Sequence, residues 1–333
     1  MNADRQDPSG PTLAQLGEAG VLRRILPLLP VGSGVFVGPG DDAAVLTAPD
    51  GRVVASTDVM VEGRDFRRSW SSAEDVGAKA AAQNLADIAA MGAVPTALLV
   101  ALVAPPHTPA AWAEGLARGL AQGCAASGAG VVGGDLSAGS ELVVTVTVLG
   151  DLQGRPPVLR SGARPGDVVA VAGVLGRSAA GWALLRDGRK DLAPDLVRAH
   201  LRPDPPLACG PAAARAGATA MLDVSDGLLR DLARIAQASE VVVDVHAGSG
   251  ALAEAGRDLE PFAAACGDVR SASAWVLTGG EDHCLVACFP PGTGLPTGFE
   301  PIGVCLPRGS GDARVLVDGA EHAGPPGWDH FEP

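Results

Sequence analysis

The sequence predicts an α+β protein of two domains. Short Val- and Ala-rich runs follow one another without helical crossovers, which argues against a doubly wound parallel sheet. Helix-period segments are interspersed irregularly among them, and 333 residues exceed a single domain of roughly 150.

Taken in order, residues 12–29 (TLAQLGEAGVLRRILPLL) carry apolar side chains at helical spacing and stop at Pro30. Val35–Val37, Ala43–Leu46 and Val53–Ser56, bounded by Gly, Pro or Asp, predict strands. A helix is expected over Ser72–Met91, ended by Gly92, and a buried strand over Ala97–Val103. From Thr108 to Ser127, Trp112, Leu116, Leu120 and Cys124 recur on one helical face. Glu141–Gly150 alternates as a half-buried strand. The Gly-, Pro- and Arg-rich stretch Gly150–Gly166 predicts the domain boundary, near residue 155. Beyond it, strands are expected at Val168–Ala172, ending at Leu222, and at Val241–Val245, Trp275–Leu277, Cys284–Phe289 and Pro301–Val304. Helices are expected near Ser178–Arg186, Pro211–Ala216 and Gly227–Ala238.

The formal charge of −13 excludes sequence-independent nucleic-acid binding, which needs Lys and Arg against phosphates. With 47% hydrophobic and 19% charged residues the chain is too apolar to be disordered. Tyrosine is absent, so Ala, Val and Leu must fill the core. The six cysteines form no CxxC pair, which predicts buried thiols in a reducing compartment. The polar start MNADRQDPSG lacks a signal-peptide core, and the longest apolar runs fall under half the ~20 residues of a membrane span. A cytoplasmic location and no membrane partner are expected.

Aspartates cluster beside small or hydroxyl residues: Asp41-Asp42, Ser56-Thr57-Asp58, Gly133-Gly134-Asp135 and Asp223-Val224-Ser225-Asp226. Asp87 sits within a nearly uncharged helix. Singly, such acids are turn residues or helix caps, and Asp226 is a good N-cap candidate for the helix that follows. Together they supply the hard oxygen donors that Mg²⁺ prefers when it is shared with phosphates. No GxxxxGK[ST] is present, and the GxGxxG match at Gly128–Gly133 follows a helix rather than a strand. Zinc-ligand spacing and a GxSxG elbow are also absent. Catalysis by positioning and metal charge remains.

The segments GPGDDAAVL, STDVMVEG, NLADIAAMGA, VGGDLS, RSGARPGD, DVSDGL, TGGEDH and GWDHF, in this order over nearly the whole chain, resemble the thiamine-monophosphate kinase family. Its fold is similar to that of aminoimidazole-ribonucleotide synthetase and selenophosphate synthetase. The resemblance implies an N-terminal α+β domain over 1–155, forming a barrel across a homodimer interface and binding ATP and Mg²⁺. It implies a C-terminal α/β domain over 156–333 that completes the nucleotide and thiamine phosphate site. The implied reaction is direct, in-line transfer from ATP to thiamine phosphate, giving thiamine diphosphate, the last step of that cofactor's synthesis.

By the same resemblance, several Mg²⁺ ions are held by Asp42, Ser56, Thr57, Asp58, Asp87, Asp135, Asp223 and Asp226. ATP is contacted by Gly134, Asp135, Arg160 and Ser225, and thiamine phosphate by Asp65, Glu281 and Trp328. The acceptor is already an anion, so no general base is assigned. Asp65 stands where the family carries a substrate-binding histidine. An arginine among Arg64, Arg67 and Arg68 is therefore expected to take over the phosphate contact. His283-Cys284 replaces the family's Tyr-Glu, with little consequence expected. The competing readings are an ATP-dependent synthetase of the superfamily and a non-catalytic thiamine phosphate binder with a degenerate site at Asp65. A two-metal phosphohydrolase rests on acidic clustering alone.

Overall fold

The computed structural model describes residues 10–40, 43–248, 250–266 and 272–328. The chain divides into two units, Met1–Ile88 with Val94–Gln153, and Ala89–Ala93 with Gly154–Pro333.

The first unit begins with α1 (Leu13–Ile25), whose start is fixed by a capping box: Thr12 and Gln15 each bond the other's backbone N–H. Then come a 3₁₀ turn at Leu26–Leu28 and an antiparallel pair, β1 (Val35–Val37) with β2 (Val45–Leu46). There follow β3 (Val54–Val61), α2 (Ala73–Ala90), β4 (Val94–Ala104), α3 (Ala110–Cys124), β5 (Gly130–Ala138) and β6 (Val143–Asp151). The sheet order is β3-β6-β4-β5, antiparallel except for β4 with β5. Small residues let the helices approach closely in place of aromatic filling. A Cβ on Gly119 of α3 would fall 2.1 Å from the Glu74 carbonyl oxygen of α2. One sheet face is buried through Met60, Leu98, Val144, Val146 and Val148. The other is open, with Val59 53% and Leu99 37% exposed.

The second unit contains β7 (Val168–Ala172), α4 (Arg177–Arg186), α5 (Pro194–Leu201), α6 (Cys209–Arg215), β8 (Ala220–Val224) and α7 (Leu228–Ser239). It continues with β9 (Val241–Val245), α8 (Gly250–Cys266), α9 (Ala272–Thr278), β10 (Cys284–Phe289), β11 (Phe299–Pro307), β12 (Arg314–Val317) and β13 (Ala320–Glu321). Its seven-stranded sheet runs β13-β12-β9-β11-β7-β10-β8, antiparallel except for β12 with β9. β10 is buried along its whole length, as its unbroken CLVACF run requires. Phe289 and Phe299 meet edge-to-face at 5.3 Å between centroids, a geometry worth about 1 kcal/mol beyond burial.

The α+β class holds, with two element-level corrections. Trp275–Leu277, expected as a strand, lies in α9. A three-residue apolar run fits either state, and here Trp275 is fully buried on a helix packed against α8. The strand expected over Val53–Ser56 runs on to Val61, because polar Ser56 and Asp58 occupy positions that hydrophobic alternation alone would reject. Helices α5 and α8 lie outside the sequence expectations. No helix among the described residues is long and apolar enough to cross a membrane.

Candidate active site

In the first unit, alternation along β3 places Ser56, Asp58 and Met60 on the helix-covered face. The Ser56 hydroxyl donates to Asp87 Oδ2 at 2.6 Å. This explains how a carboxylate survives on α2 between the fully buried Leu85, Ala86 and Ile88. Thr57 points to the opposite face, where its hydroxyl donates to the Val146 carbonyl and meets Thr147 Oγ1, each at 3.0 Å.

Asp135 is exposed on β5, just beyond a register shift opposite Leu98/Leu99. Gly134 has φ +157°, and a Cβ there would lie 1.8 Å from the Val100 carbonyl oxygen, so only glycine fits. Asp135 falls in the cross-strand row Val59–Thr145–Ala101–Asp135, on the open face. It is therefore on the opposite edge and face of the sheet from Asp58, three strand spacings or roughly 14 Å away. The sheet brings Ser56, Asp58 and Asp87 together and leaves Asp135 apart. Asp42 lies outside the described residues. Asp65 turns inward, its Oδ2 accepting the Val61 N–H at 2.7 Å. Arg67 stacks on Trp70 and Arg68 pairs with Glu62 at 2.6 Å.

In the second unit three segments are joined by backbone hydrogen bonds. Glu281 and His283 donate their N–H groups to the carbonyls of Ser225 and Val224, at 2.8 and 3.0 Å, and Trp328 donates to the Asp226 carbonyl at 2.8 Å. The approach is close enough that a Cβ on Gly280 would fall 2.5 Å from the Ser225 carbonyl oxygen. Asp223, Ser225, Asp226, Glu281 and the 58%-exposed Trp328 are thereby gathered around one loop cluster. Arg160 is exposed on a loop whose backbone the Ser239 hydroxyl holds, donating to the Arg160 carbonyl and accepting from Gly162 and Ala163.

Asp226 is not the N-cap of α7. That position belongs to Gly227, and Asp226 Oδ2 instead pairs with Arg234 at 2.5 Å. Arg234 also pairs with Asp231, which is fully buried and accepts the Asp226 N–H at 3.0 Å. Burial pushes the Asp231 carboxyl up to about 7 despite the opposing Arg234 charge. Asp282 is pushed up to about 7 by burial as well, against the lowering effect of N–H bonds from Ser178 at 2.7 Å and Gly176 at 2.6 Å. His283 Nδ1 lies 3.4 Å from Asp223 Oδ2, so the His-for-Tyr departure places an imidazole beside a proposed metal ligand rather than merely leading into a strand.

Asp231, Arg234, Asp282 and His200 are the polar groups that sequence reasoning missed, and His283 was singled out there without a role. The signal for Asp231 was an acid on the apolar stripe formed by Leu228, Leu232 and Ile235. Among the described residues no three His, Cys, Asp or Glu side chains gather into a metal cage. The donor chemistry nonetheless fits magnesium. Ser56, Asp58 and Asp87 offer hard oxygens on one face, and Mg²⁺ is commonly held by one or two carboxylates together with substrate phosphates.

Two family models match this arrangement: AIR synthase related protein, N-terminal domain, over residues 40–152, and AIR synthase related protein, C-terminal domain, over 164–271. The thiamine-monophosphate kinase of Mycobacterium tuberculosis (strain ATCC 25618 / H37Rv) is 52% identical over 322 residues, covering 96% of this chain and 93% of that one. That of Corynebacterium glutamicum is 42% identical over 333 residues, covering 97% and 96%. The solved structure of AaThiL complexed with AMPPCP and TMP superposes with a TM-score of 0.77 at 31% identity, covering 97% of this chain and 100% of that one. The chain belongs to the thiamine-monophosphate kinase family.

Proposed function

We propose that this chain transfers the γ-phosphoryl group of ATP to thiamine phosphate, giving ADP and thiamine diphosphate. The observation that carries the reading is the loop cluster of the second unit. There the acids Asp223 and Asp226 stand beside Glu281 and an exposed Trp328, joined by backbone hydrogen bonds. This pairs phosphate-metal chemistry with an acid and an aromatic face suited to a cationic heterocycle. The AaThiL complex with an ATP analogue supports ATP as co-substrate.

The residues that would hold magnesium in the N-terminal unit are Asp42, Ser56, Thr57, Asp58, Asp87 and Asp135. The C-terminal unit adds Asp223 and Asp226. When bound, Mg²⁺ neutralises charge on the β- and γ-phosphate oxygens. Gly134, Asp135, Arg160 and Ser225 hold ATP, Arg160 with a forked guanidinium suited to phosphate. Asp65, Glu281 and Trp328 orient thiamine phosphate so that its terminal oxygen attacks the γ-phosphorus while the bond to ADP breaks. The attacking oxygen is already anionic, so no protein base is needed.

The working form is a homodimer with a barrel of two sheets. The open face carrying Val59 and Leu99 is the surface that a second copy would cover, and Asp58 and Asp135 lie on opposite edges of the single sheet. The location is cytoplasmic, in keeping with six free cysteines. Chromatography of a mixture of the protein, Mg²⁺-ATP and thiamine phosphate tests the reading, with thiamine diphosphate and ADP expected in equal amounts. ADP without thiamine diphosphate would favour a synthetase, and no turnover a non-catalytic binder.

A further inference from the structure

We infer that His200 is a positioning residue for thiamine phosphate: its imidazole, seated between Ser178 and Glu281, holds the Glu281 carboxylate in its substrate-binding orientation. The inference rests on the reading of Glu281 as a substrate contact.

Glu281 needs such a holder. Its backbone has φ +65° and that of His283 +52°, left-handed conformations that persist in non-glycine residues only where the surroundings impose them. The backbone between them is fixed through Asp282, whose buried carboxylate accepts the N–H groups of Gly176 and Ser178 at the start of α4. The Glu281 side chain itself is 37% exposed.

His200 supplies the restraint. Its side chain is 8% exposed, and Nδ1 lies 3.3 Å from Glu281 Oε2 and 3.1 Å from Ser178 Oγ. A carboxylate only accepts hydrogen bonds, so the Glu281 contact is favourable with the proton on Nδ1, the ring nitrogen that faces both Glu281 Oε2 and Ser178 Oγ. The ring is placed by the packing of α5 on α4. A Cβ on Gly181 would lie 2.1 Å from the Leu196 carbonyl oxygen and 3.0 Å from His200 Cβ, so the glycine permits the approach. A closed circuit results. Glu281 is bonded to Asp282 along the chain, Asp282 holds Ser178, Ser178 meets His200, and His200 returns to Glu281. The acid that substrate reaches is thereby tied to buried groups that substrate does not reach.

Steady-state kinetics of the full chain and its variants test this. His200→Leu is expected to raise KM for thiamine phosphate about tenfold, the loss of one hydrogen bond to a charged group, while KM for ATP stays within about twofold. His200→Asn places an amide N–H near the Nδ1 position and is expected to stay within about threefold of wild type. His200→Gln, whose amide reaches towards Nε2, is expected to behave like Leu. In a Glu281→Gln background His200→Leu should add little, because the two residues act as one unit.

A folded His200→Leu with wild-type KM for thiamine phosphate overturns the inference, as does an equal rise in both KM values. If the Leu variant does not fold, Asn and Gln decide, and equal KM values in those two overturn it. Wild-type protein that makes no thiamine diphosphate removes the substrate reading itself. That failure is seen before any variant is compared.

Discussion

The Ser56 hydroxyl and the Asp87 carboxylate, 31 positions apart in the chain, meet at 2.6 Å and join β3 to α2 beside Asp58. A neutral hydroxyl thus orients the Asp87 carboxylate on the face that carries Asp58. Asp87→Asn retains the shape and an acceptor for Ser56. It is expected to lower kcat by 100-fold or more and to raise the Mg²⁺ concentration for half-maximal rate, with Tm changed by only a few degrees. An unchanged Mg²⁺ requirement would remove Asp87 from the metal site.

Asp282 gives a pH signature. Burial raises its carboxyl from 3.8 to about 7. Between roughly pH 4 and 7 the native state then binds a proton that the unfolded chain has released, so unfolding free energy falls as pH rises. This stabilisation is complete below the unfolded value and lost as pH passes through the native one. Asp282→Asn lacks the titration. Its Tm deficit against wild type is expected to be largest near pH 4 and to shrink towards pH 8, and a deficit that widens with pH contradicts the assignment.

Arg234 bridges Asp226 and the buried Asp231. Arg234→Met leaves an uncompensated acid in the interior and is expected to cost about 3 kcal/mol in denaturant unfolding. Adding Asp231→Asn should recover part of that loss. A double variant less stable than the sum of the singles would show that the acid is not the source.

These groups mark where the sequence was readable and where it was not. The helix with Trp112, Leu116, Leu120 and Cys124 on one face was legible because a wide apolar stripe specifies period and burial at once, and all four are buried in α3. Trp275–Leu277 was not, since three apolar residues carry no period and packing against α8 decided the outcome. The candidate acids stand out in the sequence as motifs. Their holders do not, because His200 lies 81 positions from Glu281 and only the packing of α5 on α4 brings the two within 3.3 Å. The face of Thr57 follows from strand register, which a run of polar residues does not announce.

The loop at Asp65 makes a separate prediction. The Asp65 carboxylate is turned to the Val61 N–H, so a phosphate in its vicinity requires a cation from the same loop. Arg64→Ala, Arg67→Ala and Arg68→Ala are expected to include at least one variant with KM for thiamine phosphate raised about threefold or more. Three unchanged Michaelis constants would dispose of the idea that an arginine replaces the family's histidine.

Direct phosphoryl transfer is tested most plainly by following the label from γ-³²P-ATP in the presence of Mg²⁺ and thiamine phosphate. The label is predicted to appear in the terminal phosphate of thiamine diphosphate, one for each ADP formed, and to stay in ATP when thiamine phosphate is left out. Label released as inorganic phosphate, with none in thiamine diphosphate, would contradict the proposed function.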